Sequence, residues 1–151
     1  MKQIIKRCSA LLCAAVLIVF SGCSARTPIT ADAFTKEAKA QGYTVTDSSS
    51  SATGVDKYLD AVKSQTQTEL VFISFKTSSS TEDAYNSIKK SISQGANAKS
   101  STLDSATYNK YTVSVGELSY TLIRMDTTIF YGKATSSHQT EVDDFVKAIK
   151  Y

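Results

Sequence analysis

The run Glu69 to Lys76, ELVFISFK, constrains the fold of this chain more than any other stretch. Leu70, Val71, Phe72, Ile73 and Phe75 place apolar side chains on both faces of an extended segment. A strand so built must be covered on two sides, which predicts a central position in a sheet. The other segments are then read as what surrounds it. Thr30 is placed to cap a helix over about 31–41, with Asp32 in the first turn, Phe34 and Ala38 on one face, and Gly42 as the stop. Tyr43 to Thr46 alternates as a short strand and runs into a serine loop expected to be mobile. Val55, Tyr58, Leu59 and Val62 fall at i, i+3, i+4 and i+7 and predict a two-turn helix.

Ser79, Ser80 and Thr81 with Glu82 and Asp83 form a cap-like start to a second main helix, whose stripe is Ala84, Tyr85, Ile88 and Ile92 and whose stop is Gly95. Residues 96–106 show no period and read as loop. Tyr108–Val115, Leu118–Met125 and Thr128–Lys133 follow as an antiparallel meander, reversed at Gly116-Glu117 and Asp126-Thr127. Thr140 to Lys150 closes the chain as an amphipathic helix with Val142, Phe145, Val146 and Ile149 inward. The expected fold class is α+β: an antiparallel sheet of about four to five strands with two to four helices packed on one face, in a single domain over 30–151.

The other informative segment is N-terminal. Lys2, Lys6 and Arg7 precede an uncharged stretch from Ala10 to Phe20, about eleven residues, inside the roughly seven to fifteen of a signal peptide. That is well short of the about eighteen needed to span a bilayer. The run Phe20-Ser21-Gly22-Cys23 then resembles the lipobox of bacterial lipoproteins, although Phe20 stands where that family usually carries an aliphatic residue. The resemblance implies cleavage between Gly22 and Cys23, removal of residues 1–22, and a diacylglyceryl group on the Cys23 sulfur. Residues 23–29 would form a tether reaching about 20 Å from the outer face of the cell membrane. Together with Gly42-Tyr43-Thr44-Val45 and the ending Val146 to Tyr151, the layout resembles small lipoproteins of Gram-positive, Firmicute-type bacteria, a group that supplies no activity to carry over. Ser24 after the cysteine leaves the envelope type open.

Composition excludes several classes. Loss of Lys2, Lys6 and Arg7 with the signal leaves cations and acids equal in number, so no basic surplus argues for nucleic acid. Cys8 and Cys13 would leave with the signal, so the folded part has no thiol and must be held by its core. Roughly 120 residues suffice for one unstapled domain.

Catalytic patterns are thin. His138 is the single histidine; a zinc site would need it with Glu141 and Asp144, and a serine triad would need it beside a nucleophile elbow that is absent. Ser87-Ile88-Lys89-Lys90 and Lys76-Thr77-Ser78 echo penicillin-binding motifs in reversed order, as chance supplies in a chain rich in Ser and Lys. The carboxylate pairs Asp56/Asp60, Glu82/Asp83 and Asp143/Asp144 are assigned to the solvated sides of helices. Among eight tyrosines, Tyr108, Tyr111, Tyr120 and Tyr131 lie in strands, where packing explains them, though exposed tyrosine also stacks on sugars. No cofactor, metal or catalytic residue is assigned. The expected function is a membrane-tethered binding or accessory module for an envelope protein, peptide or wall glycan; the alternative is a small envelope enzyme with unidentified catalytic residues.

Overall fold

The computed structural model describes residues 27–94 and 98–151. The expected signal peptide, Cys23 and the expected helix stop at Gly95 lie outside the described residues. The elements are α1 (Ala31–Ala40), β1 (Thr44–Asp47), β2 (Lys57–Lys63), β3 (Thr68–Ser74), α2 (Ser78–Ile92), β4 (Lys99–Asp104), β5 (Tyr108–Val115), β6 (Leu118–Met125), β7 (Thr128–Thr135) and α3 (Gln139–Ala148). The chain is an α+β domain with one seven-stranded, wholly antiparallel sheet in the order β1-β2-β3-β7-β6-β5-β4. Two meanders, β1-β2-β3 and β4-β5-β6-β7, meet where β3 pairs with β7 from Glu69↔Lys133 to Ser74↔Thr128.

The central place of β3 follows from its sequence. Leu70 and Phe72 enter one core with Phe34, Phe130 and Phe145, while Val71 and Ile73 enter a second with Tyr85, Leu122 and Ile129. Helices α1 and α3 cover the first face and α2 the second, so the layers are helix, sheet, helix. This corrects the one-faced packing expected above: a strand apolar on both sides requires cover on both sides.

The strand count of four to five is also too low. The segment expected to be a two-turn helix is β2, whose Leu59 and Ala61 are buried on the first face while Tyr58 and Asp60 point to the second. Its apparent helical spacing is a coincidence of period, overridden by pairing along the whole of β3 from Lys57↔Ser74 to Lys63↔Thr68. Residues 99–104, read as loop, form edge strand β4, exposed at every position. With no buried face it has no hydrophobic alternation to read; only its ladder to β5 defines it.

The helix ends show sequence-level causes. Thr30 accepts from the Ala33 amide at 3.2 Å, whereas the cap of α2 is Thr77, accepting from Ser80 at 3.2 Å, two residues ahead of the expected start. Helices α1 and α3 end in the same double hydrogen bond. In α1, Gly42 donates to Lys39 and Tyr43 to Ala38; in α3, Lys150 donates to Lys147 and Tyr151 to Val146. This motif needs a left-handed residue, supplied by Gly42 at φ +84° and, at greater cost, by Lys150 at φ +61°. Each turn delivers a tyrosine, Tyr43 or Tyr151, into the phenylalanine core. The serine loop after β1 is pinned rather than free: Asp47 pairs with Lys57 at 2.8 Å and accepts from the Ser49 amide at 2.9 Å. Those donors hold its carboxyl well below the usual range.

Candidate functional site

On the second face, α2 lies over β6 and β7 and leaves the β1-β2 side without a helix. The strand registers decide what is displayed beside it. Asp60 stands opposite Val71, Val71 opposite Tyr131, Glu69 opposite Lys133, and Lys133 opposite Tyr120. Four strands thereby bring Tyr58, Asp60, Glu69, Tyr131, Lys133 and Tyr120 onto one surface. Two clefts open there. One, of about 290 Å³, lies between Ile88 and Ile92 of α2 and a floor of Tyr58, Glu69, Val71 and Tyr131. The other, of about 270 Å³, is bounded by Gln94, Val115, Tyr120, Tyr131 and Lys133. They share Ser91, Ile92 and Tyr131, so they form one groove.

Its electrostatics are set by half-burial. The Oδ1 atom of Asp60 is buried without a hydrogen-bond partner. Desolvation, and next the charge of Glu69, push the Asp60 carboxyl above its usual value. Glu69 Oε2 pairs with Lys133 Nζ at 3.4 Å. Burial first, then Glu69, Tyr120 and Tyr58, push the Tyr131 hydroxyl far up, so it stays protonated and able to donate. Tyr58 moves the same way, from burial and then the charges of Asp60 and Glu69. Tyr120 and Tyr131 rings lie 6.2 Å apart and tilted by 42°. The groove therefore offers aromatic faces, acceptors and donors, and among its described residues no nucleophile is held beside a base.

The residues weighed for catalysis lie elsewhere. His138 Nδ1 is held by the hydroxyls of Thr135 at 2.9 Å and Ser137 at 3.1 Å. Glu141 ties α3 to the β2-β3 hairpin through Lys63 at 3.3 Å and Thr66 at 3.1 Å. Asp144 pairs with Lys147 at 2.9 Å on the surface. Among the described residues no three His, Cys, Asp or Glu side chains converge as metal ligands would. Ser87 donates to the Asp83 carbonyl at 2.8 Å, and Thr77 serves as a cap.

Of the carboxylate pairs, Glu82, Asp83, Asp56 and Asp144 are exposed. Asp143 accepts from Gln139 at 3.2 Å. Asp60 departs from expectation, because it sits on a strand and is partly buried rather than on the solvated side of a helix. Tyr108 and Tyr111 are core, as packing predicted, whereas Tyr120 and Tyr131 are half-buried and line the groove. The signal that sequence reading passed over was alternation: Tyr58/Asp60, Glu69/Val71 and Tyr131/Lys133 each recur at a spacing of two, which assembles a surface only once the register is known.

No family model matches the chain, and no curated protein matches it in sequence. Among solved structures it is similar to a GTP binding regulator from Thermotoga maritima, at 16% identity and a TM-score of 0.48, over 80% of this chain and 84% of that one. Nothing in that protein's name is carried over to this chain.

Proposed function

We propose that this chain is a lipid-anchored extracytoplasmic module, held at the outer face of the cell membrane through Cys23, which works by binding an envelope partner in the groove beside α2. The observation that carries the binding reading is the incomplete cover of the second face. A partly buried floor of Tyr58, Glu69 and Tyr131 is left beside the single helix. The anchor reading rests on the lipobox and the short basic and apolar segments before it. Ile29 packs against the first core, so about six residues, at most about 20 Å, separate that core from the lipid. Anchoring so close raises the local concentration of the groove toward membrane and inner-wall partners.

The test is complementation of a deletion in the native cells. Cys23→Ala is expected to move the protein out of the detergent phase in phase partition, and Tyr58→Ala with Tyr131→Ala to abolish function at equal level and fold. His138→Ala is expected to complement fully. A groove variant that complements while His138→Ala fails would replace binding with enzymatic chemistry, and unchanged partition of Cys23→Ala would remove the anchor.

A further inference from the structure

We infer that the groove takes a linear, uncharged glycan, its sugar rings lying on tyrosine faces and its hydroxyls donating to Glu69; this rests on the groove being the binding surface. Shape argues for an extended ligand. The two clefts join through Ser91, Ile92 and Tyr131 and run across β2, β3, β7 and β6, a span no single compact pocket covers.

The floor argues against a peptide added as a further strand. Strands β2, β3, β7 and β6 are each paired on both sides, so their amide and carbonyl groups are spent within the sheet. Peptides that add to a sheet use a free edge, and this surface has none to offer. Recognition here must come from side chains. Tyrosine presents an apolar ring and a hydrogen-bonding tip, which matches a sugar's C–H face and hydroxyl rim.

Charge narrows the choice further. The charged side chains that line the two clefts, Glu69 and Lys133, neutralise each other at 3.4 Å. A polyanion would meet Lys133 as the one cation lining the clefts, already engaged by Glu69. A neutral hydroxyl can donate to Glu69 without displacing Lys133.

The test uses the detergent-solubilised full chain and isothermal titration with three probes: cellohexaose, the hexasaccharide of N-acetylglucosamine, and hexalysine. Binding of at least one oligosaccharide is expected, weakened at least about tenfold by Tyr131→Ala or Tyr58→Ala and retained within about threefold by Tyr131→Phe, which keeps the ring. If Tyr131→Ala does not fold, Tyr58→Ala and Tyr131→Phe still decide. Binding of neither sugar, binding of hexalysine alone, or sugar binding indifferent to both tyrosines would overturn the inference. Groove variants that lose complementation while no sugar binds would sink the glycan and spare the binding surface; variants that keep complementation would sink both.

Discussion

The two faces of the sheet bury their aromatic residues in opposite ways. The face under α1 and α3 is packed with Phe34, Phe72, Phe130 and Phe145, all at or near zero exposure. Phe145 touches three aromatic partners, with ring centres 5.4 Å from Phe34, 5.8 Å from Phe130 and 6.0 Å from Tyr43. The face under α2 instead carries five of the eight tyrosines: Tyr58, Tyr85, Tyr111, Tyr120 and Tyr131. Two helices can seal a face, and phenylalanine asks nothing but dryness. One helix cannot seal it, and tyrosine suits a boundary where one end of the ring stays wet. Lys89, with its ammonium 5.0 Å above the Tyr111 ring, adds a polar cover at that boundary. The difference separates a face built for stability from one with surface to spare.

The largest expected effect tests that separation directly. Phe145→Ala should cost about 3–5 kcal/mol, the range for emptying a fully buried aromatic site. Tyr131→Ala should cost less, about 1–3 kcal/mol, because its side chain is only partly buried at the edge of the second core. Chemical denaturation of the two variants measures both, and equal losses would erase the contrast.

Alkaline titration probes the sealed face next. Burial raises the Tyr151 hydroxyl from 10.0 to about 12, against lowering by its hydrogen bond to Thr128 at 2.6 Å. A group that holds its proton more tightly when folded gives stability that is complete below pH 10 and lost as pH rises through 12, here about 2–3 kcal/mol. Tyr151→Phe should flatten the decline in melting temperature over that interval. An unchanged slope would mean that Tyr151 ionises as freely in the fold as outside it.

Gly132 tests how closely α3 sits on the sheet. A Cβ there would come 2.5 Å from Val142 Cγ1. Gly132→Ala should therefore destabilise by about 1–3 kcal/mol through overpacking, and a neutral result in thermal unfolding would show that the helix can slide.

The smallest effects are gains. Lys150→Gly relieves a left-handed lysine and should add up to about 1 kcal/mol. On the open face, Asp60→Asn should stabilise slightly at about pH 7 and not at about pH 3. The reason is that burial and Glu69 raise the Asp60 pKa, so its stabilising share is complete below 3.8 and lost as pH climbs through the folded value. A destabilised Asp60→Asn at neutral pH would show that the carboxylate has a donor after all.

The legible parts of this fold were those whose side chains carry a period. Helices α1, α2 and α3, strand β3 and the meander β5-β6-β7 each bury a stripe or an alternation, and their reversals carry Gly116 and Asp126, both at positive φ. Strand β2 deceived because Val55, Tyr58, Leu59 and Val62 satisfy a helical spacing by accident, and β4 was silent because it buries nothing. The candidate site was hidden for the same physical reason. Tyr58, Glu69, Tyr120, Tyr131 and Lys133 are spread over 76 positions of chain and become neighbours only through ladders between strands.

By itself, the sequence determined that the chain is α+β, that the strand within residues 69–76 is an interior one, and that Thr30 caps the first helix. Each of these depends on contacts a few residues long or on the solubility of a side chain. Tertiary structure alone decided the seven-strand order, the placement of helices on both faces and the tyrosine groove. Those depend on which strand pairs with which, a choice made by the joint burial of distant segments and recorded in no single stretch of the chain.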